Sequence, residues 1–242
     1  MHAGHRSLLF VLIMCAFVAS FGRSASAQAA SSTASQASAY AGRPYGDERH
    51  PGSTQLIPGK VYCAYYDTGG EAVAYHDSDA VNHGSGELNP LDGSYLNGFR
   101  VKEGVDISYV KFGRPTPVDD NPFNLVTPPA ELLYVGWTVP GEWFNLTVNV
   151  QLAGRYSVDF LYTSHQGGQI SLELDDKPVT DALTIQSTAN SADPLSWRQW
   201  HHWNLAKDLA QVELPAGVHV LKVRVLTEGQ MNLAYFDFRK AN

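Results

Sequence analysis

The sequence predicts an all-β protein, an antiparallel β-sandwich or jelly roll. Three observations carry that prediction. Apolar and polar residues alternate with period two over long stretches, turn-forming dipeptides separate those stretches, and no stretch keeps a convincing helical period. In "EWFNLTVNV" (142–150), Phe144, Leu146, Val148 and Val150 alternate with Asn145, Thr147 and Asn149. "GRYSVDFLYTS" alternates Tyr156, Val158, Phe160 and Tyr162 with Ser157 and Asp159, and "VHVLKVRVL" (218–226) sets His219, Leu221, Val223 and Val225 opposite Val218, Val220, Lys222 and Arg224. Ala153-Gly154, Asp175-Asp176-Lys177-Pro178 and Pro215-Ala216-Gly217 mark the turns between them. "NLAKDLAQVEL" comes nearest to a helical period, but it lies between strand patterns and reads as strand and loop. Many short strands without intervening helices bury one face of each sheet against the other. "GRPTPVDDNPFNLVTPPAEL" (113–132) carries five prolines and reads as a long surface loop.

The strand pattern begins at Leu56. Residues 1–27 read as a secretory signal: His5 and Arg6 form a short basic start, Leu8 to Phe21 an apolar run, and "SASAQA" a small-residue cleavage region. The run is too short for a comfortable membrane span. Residues 28–55 are rich in Ala, Ser, Thr and Gly without apolar periodicity and read as a disordered linker. That leaves residues 56–242 as one domain of 187 residues, large enough for a sizeable core. The expected location is secreted, periplasmic or at the cell surface.

The formal net charge is −7. Without residues 1–27, which hold two Arg and no acid, 15 basic residues face 24 acidic ones, a net charge of −9. Such a surface argues against nucleic acid and anionic membranes as partners. Only Cys63 remains beyond the signal, so an internal disulfide is excluded.

Seven segments occur in order that together resemble the family 6 carbohydrate-binding modules: "GGEAVAYHDSD", "FRVKEGVDI", "YVGWTVPGEWFNLTVNV", "AGRYSVDFLY", "WRQW", "LPAGVHVLKV" and "MNLAYFDF". The resemblance implies a non-catalytic β-jelly roll that binds a polysaccharide or oligosaccharide, either in the loops at one end of the sandwich or on the concave face of a sheet. At the end site the family clamps a sugar ring between two aromatic faces and bonds its hydroxyls with an amide. A pyranose has an apolar C–H face that lies on an aromatic ring, and hydroxyls that need directed partners. Carried onto this sequence, the aromatics are Phe99 and Trp197 and the amide is Asn232, with Glu71 a further hydroxyl acceptor. The family also carries a structural calcium. The positions of its carboxylates are Tyr62, Ala64 and Ala234 here, so the resemblance implies that this metal site is lost and that no cofactor is held.

"GGEAVAYHDSDAVNHG" (69–84) admits a sharper reading, a metal or acid–base site built from His76, Asp77, Asp79 and His83, beside a plainer one as a strand end and turn. The resemblance favours the plainer reading. A glycosidase needs two carboxylates facing one cleft, and Glu71, Asp77, Glu87, Asp106 and Glu142 are the candidates. His201 and His202 are adjacent and cannot chelate together from a strand. Of three tryptophans spaced by three, Trp200 is expected in the core and Trp197 in the loop, with Trp203 open. A sandwich that has lost sugar binding and serves a structural or protein-interaction role is the second reading, and a small glycoside hydrolase the third. The first two separate on whether Phe99, Trp197 and Asn232 are exposed and converge on one pocket; burial of Trp197 by the proline-rich segment would favour the second.

Overall fold

The computed structural model describes residues 1, 40–113 and 117–241. The expected signal, Met1 apart, and residues 28–39 of the expected linker lie outside the described residues. Thirteen strands are present among the described residues. The first five are short: β1 Gln55–Ile57, β2 Gly59–Tyr62, β3 Tyr75–His76, β4 Ile107–Tyr109 and β5 Leu133–Val135. The remainder are β6 Trp143–Val150, β7 Gly154–Ser164, β8 Gly168–Leu174, β9 Lys177–Pro178, β10 Leu183–Ile185, β11 Asn204–Leu214, β12 Gly217–Thr227 and β13 Met231–Lys240. Helix is confined to two 3-10 turns, Cys63–Tyr65 and Ser196–Trp200. No helix among the described residues is long and apolar enough to cross a membrane.

The strands form two sheets. One has the order β1-β6-β12-β8-β10, with β3 added on β6 and β9 on β8; the other has the order β11-β7-β13-β5-β4, with β2 added on β13. Every pairing is antiparallel except β1 with β6, which is parallel. The fold is the all-β sandwich expected from the alternation. Leu146 and Val148 of β6, Leu221 and Val223 of β12 and Ile170 and Leu172 of β8 are fully buried. They face Phe160, Leu233, Phe236 and Phe238 of the other sheet in one continuous core. The Phe160 and Phe236 rings stack with centroids 4.3 Å apart.

The segment that reads almost helically is β11. It pairs with β7 from Asn204 to Ala206 and again from Ala210 to Leu214, with an irregularity between. Asp208 at that irregularity has φ 50°. The extra residues break the period of two, which is what made the alternation hard to see.

Residues 40–55 do not form the disordered linker expected of 28–55. Arg43 and Thr68 exchange two backbone hydrogen bonds of 2.8 Å. Tyr45 stacks on Tyr65 with centroids 5.8 Å apart and its hydroxyl donates to Asp47. The Tyr95 hydroxyl donates to the same carboxylate. Composition averaged over the window hides two tyrosines and a histidine, and these supply the buried contacts that offset the ordering entropy.

Residues 117–132 of the proline-rich segment also fold down. On β7, Leu161 lies between core residues Phe160 and Tyr162 and so faces the opposite side of its sheet; on β5, Tyr134 does the same. There they form a second apolar cluster with Trp203, Val110 and Tyr235, closed by Val126 and Leu132 of the segment. Trp203 is completely buried. The backbone amides of Leu125 and Val126 donate to its carbonyl, and its indole N–H donates to Asp119 at 2.7 Å.

Candidate functional site

Trp137, Trp197, Trp200 and Asn232 line one cleft of about 280 Å³ at the end of the sandwich where β5 ends and β13 begins. Tyr134, His201 and Gln230 complete the lining, so no Lys, Arg, Asp or Glu side chain forms its wall.

Each part is positioned by local structure. Asn232 is the second residue of β13 and is 6% exposed. Its Nδ2 donates to the Trp200 carbonyl at 2.8 Å and to the Thr163 hydroxyl at 2.9 Å. A carbonyl can only accept, so the amide orientation is fixed by chemistry and Oδ1 is the atom left to face outward. A Cβ at Gly136 would stand 2.9 Å from that Oδ1, so glycine is what allows the amide its place. Trp137 follows directly, with φ 47°, as the chain leaves β5. This backbone turns the indole out of the sheet and into the cleft at a conformational cost that β-strand residues do not bear.

Trp197 lies on the 3-10 turn and is 45% exposed. The turn itself is locked. The buried Arg198 guanidinium makes two bonds to Asp193, Nε to Oδ2 at 2.7 Å and Nη2 to Oδ1 at 2.8 Å, and a third to the Pro117 carbonyl. His202 Nε2 lies 2.8 Å from the same carboxylate. The Arg198 guanidinium holds the Asp193 carboxyl well below the usual carboxylate range. His201 packs edge-on against Trp197, centroids 6.3 Å apart, and its Nδ1 is 2.9 Å from Asp119. Trp200 is half-buried rather than a core residue, because its ring forms the cleft wall against His165 at 4.4 Å.

Of the residues the resemblance pointed to, Trp197 and Asn232 meet in this cleft, and Phe99 and Glu71 do not. Phe99 is 3% exposed and packs against Tyr45, Tyr65 and Tyr95, with centroids 5.3, 5.9 and 5.4 Å away. Its neighbour Arg100 is buried over the Tyr66 ring and bonds the Tyr66 and Asp67 carbonyls. The Phe-Arg pair is therefore interior, and the aromatics that line the cleft with Trp197 are Trp137, Trp200 and Tyr134. The signal for Trp137 was present in "YVGWTVPGEW": a Trp placed between a strand end and a Pro-Gly turn. Glu71 bonds His76 Nδ1 at 2.5 Å and the Asp77 amide at 3.1 Å, closing its own turn.

The carboxylates in the 69–84 region hold backbone. Glu142 accepts from the Ser78 and Val139 amides, Asp106 from the His83 amide and Asp77 from the Asp79 amide. Burial, with Glu142 beside it, pushes the Asp77 carboxyl up to about 7, and burial pushes Asp106 up to about 6. None of the three lines the end cleft.

The positions that the resemblance assigned to the calcium carry no carboxylate. Tyr62 packs edge-on against Tyr65 and Tyr235, and Ala64 and Ala234 are fully buried. No three His, Cys, Asp or Glu side chains come together to hold a metal ion among the described residues.

A second hollow lies on the outer face of the β6–β12 sheet, lined by Trp143, Asn145, Val220 and Lys222. Lys222 there is committed to Asp176 and Glu173.

Residues 127–240 match the family model described as carbohydrate binding module (family 6). This stretch is similar to the family 6 carbohydrate-binding modules and makes up just under half of the chain. Several solved structures are similar over larger parts of the chain. A family 6 module from Clostridium stercorarium, solved with cellobiose, has 13% identity over 78% of this chain and 99% of its own, with a TM-score of 0.47. A β-1,3-glucan-binding module from Bacillus halodurans has 12% identity over 77% and 99%, with a TM-score of 0.44. An arabinoxylan arabinofuranohydrolase from Bacillus subtilis has 14% identity and a TM-score of 0.44, and the match covers 79% of this chain but only 30% of the enzyme. No curated protein matches the chain.

Proposed function

We propose that the end cleft binds a neutral pyranose of a polysaccharide or oligosaccharide, without catalysis, as an exported protein directed by residues 1–27. The observation that carries this reading is the lining of the cleft: three indoles, Trp137, Trp197 and Trp200, with the Asn232 amide, whose donors are already used. An aromatic face suits the C–H side of a sugar, and Asn232 Oδ1 suits a donating hydroxyl. The absence of charged side chains in the wall favours an uncharged ring. The size is at the lower end of ligand pockets, about 300 Å³, consistent with one or two rings seated rather than a long enclosed chain.

The rival reading, a sandwich without sugar binding, is favoured by the interior placement of Phe99 and would gain further if the proline-rich segment covered Trp197. That segment instead covers Trp203 and leaves Trp197 exposed, which supports the binding reading. The reading also holds that no calcium takes part, because Tyr62, Ala64 and Ala234 offer no carboxylate.

Intrinsic fluorescence tests it, since three tryptophans line the cleft. Titration with cello-, xylo- and laminari-oligosaccharides should shift the emission with at least one series, equally with and without EDTA. No shift with any series would remove the reading, and a response abolished by EDTA would remove its calcium-free part.

A further inference from the structure

We propose that the groove between residues 45–55, β2 and residues 129–133 is a second binding site, for an anionic saccharide whose carboxylate or sulfate is met by Arg49 and Lys60 above a floor of tyrosines. The choice of a saccharide over other anions rests on the glycan-binding reading above; the site itself does not.

Two adjoining hollows, of about 570 and 360 Å³, share Arg49, His50, Tyr65 and Glu131 and make a continuous groove. It is separate from the end cleft, with which it shares no residue. Its walls come largely from the part of the chain that precedes the family match at residue 127.

The charge in the groove runs against that of the molecule. On a chain of net charge −7, Arg49 and Lys60 converge here and the only acid in the lining is Glu131. Neither Arg49 nor Lys60 makes an ion pair among the described residues. Each rests instead on an aromatic face, Arg49 4.1 Å from the Tyr95 centroid and Lys60 4.4 Å from that of Tyr235. A ring face orients a cation without neutralising it.

Asp47 is the acid that would be expected to neutralise them, and it is otherwise engaged. It accepts from the Tyr45 and Tyr95 hydroxyls at 2.6 and 2.8 Å and from the amides of Arg49 and His50 at 2.8 and 2.6 Å. These bonds fix the 45–55 turn and so fix where Arg49 stands. Below, His50 packs on Tyr65 at 4.2 Å, and Tyr62 and Tyr45 flank Tyr65 at 5.8 Å each. The result is a preorganised aromatic surface with two cations at its edge, which matches a pyranose that bears an anionic group.

Affinity electrophoresis of the full chain through gels containing polygalacturonate, dextran sulfate or a neutral β-glucan tests the site, with Arg49→Gln/Lys60→Gln and Trp197→Ala alongside. The expected result is retardation by at least one acidic polymer that falls at least tenfold in affinity in the double variant, weakens with added salt and survives Trp197→Ala. The two acidic gels separate carboxylate from sulfate. Glu131→Gln should tighten the same interaction, and it decides the matter should the double variant lose its melting transition. No retardation by either acidic polymer, retardation lost in Trp197→Ala but kept in the double variant, or no tightening by Glu131→Gln would overturn the proposal. Retardation by the neutral polymer reports on the end cleft alone.

Discussion

Asn232 illustrates how a single amide is made useful by what surrounds it. The Trp200 carbonyl and Thr163 hydroxyl take both its donors, and Gly136 leaves room for the acceptor that remains. Gly136→Ala would place a methyl carbon 2.9 Å from Oδ1, closer than real contacts allow. It is expected to lower glycan affinity roughly fivefold to twentyfold, about 1–2 kcal/mol, with the melting temperature nearly unchanged; isothermal titration beside thermal denaturation checks both. Unchanged affinity would mean that the amide does not meet ligand. Trp197 and Asn232 were legible in the sequence because each sits in a short, distinctive motif. Trp137 also sits in a motif, "YVGWTVPGEW", but its place in the cleft depends on a left-handed backbone at the strand end that the alternation cannot reveal. Phe99 was misplaced. It was carried over from the resemblance by its motif, and only the fold shows Phe99 in the interior and Arg100 turned inward onto Tyr66.

Among the elements, residues 117–132 of the proline-rich segment form no strand and are anchored through Asp119. Asp119 is completely buried and accepts from the Trp203 indole, the Lys111 amide at 2.7 Å and the His201 side. Asp119→Ala would leave buried donors without partners, at a cost of about 2–4 kcal/mol. Chemical denaturation should show that loss, and a change under 1 kcal/mol, roughly the effect of a surface substitution, would contradict the anchoring account. The segment's prolines marked it as a loop, but its burial against Leu161 and Tyr134 follows from alternate residues on β7 and β5 that sequence alone assigned only to one core. The 69–84 loop carries a pH dependence. Asp77, pushed to about 7, and Asp106, pushed to about 6, keep their protons in the folded chain where the unfolded chain, titrating near 4, has lost them. The folded state thus binds more protons across that window, and the stability from these two groups falls as pH rises from about 4 to 7. Asp77→Asn should therefore raise the melting temperature more at pH 8 than at pH 5. Equal gains at both values would refute the assignment.

At the scale of the molecule, the sandwich supplies two kinds of surface with different chemistry. The end cleft is aromatic and uncharged in its walls; the groove beside residues 45–55 is aromatic and cationic. The sandwich itself was legible, since β6, β7 and β12 occupy the stretches whose alternation marked them. The lead segment was not, because its packing depends on Tyr45 meeting Tyr65 and Tyr95, partners far away in sequence. Whether this chain is a glycan-binding protein rests on the end cleft, and affinity electrophoresis through xylan, mixed-linkage β-glucan, laminarin and agarose, with Trp197→Ala run in parallel, tests that most directly. The account predicts retardation by at least one neutral glycan and a loss of at least about tenfold in affinity in the variant, the scale of removing one stacked ring. Retardation that survives Trp197→Ala, or none on any gel, would contradict it.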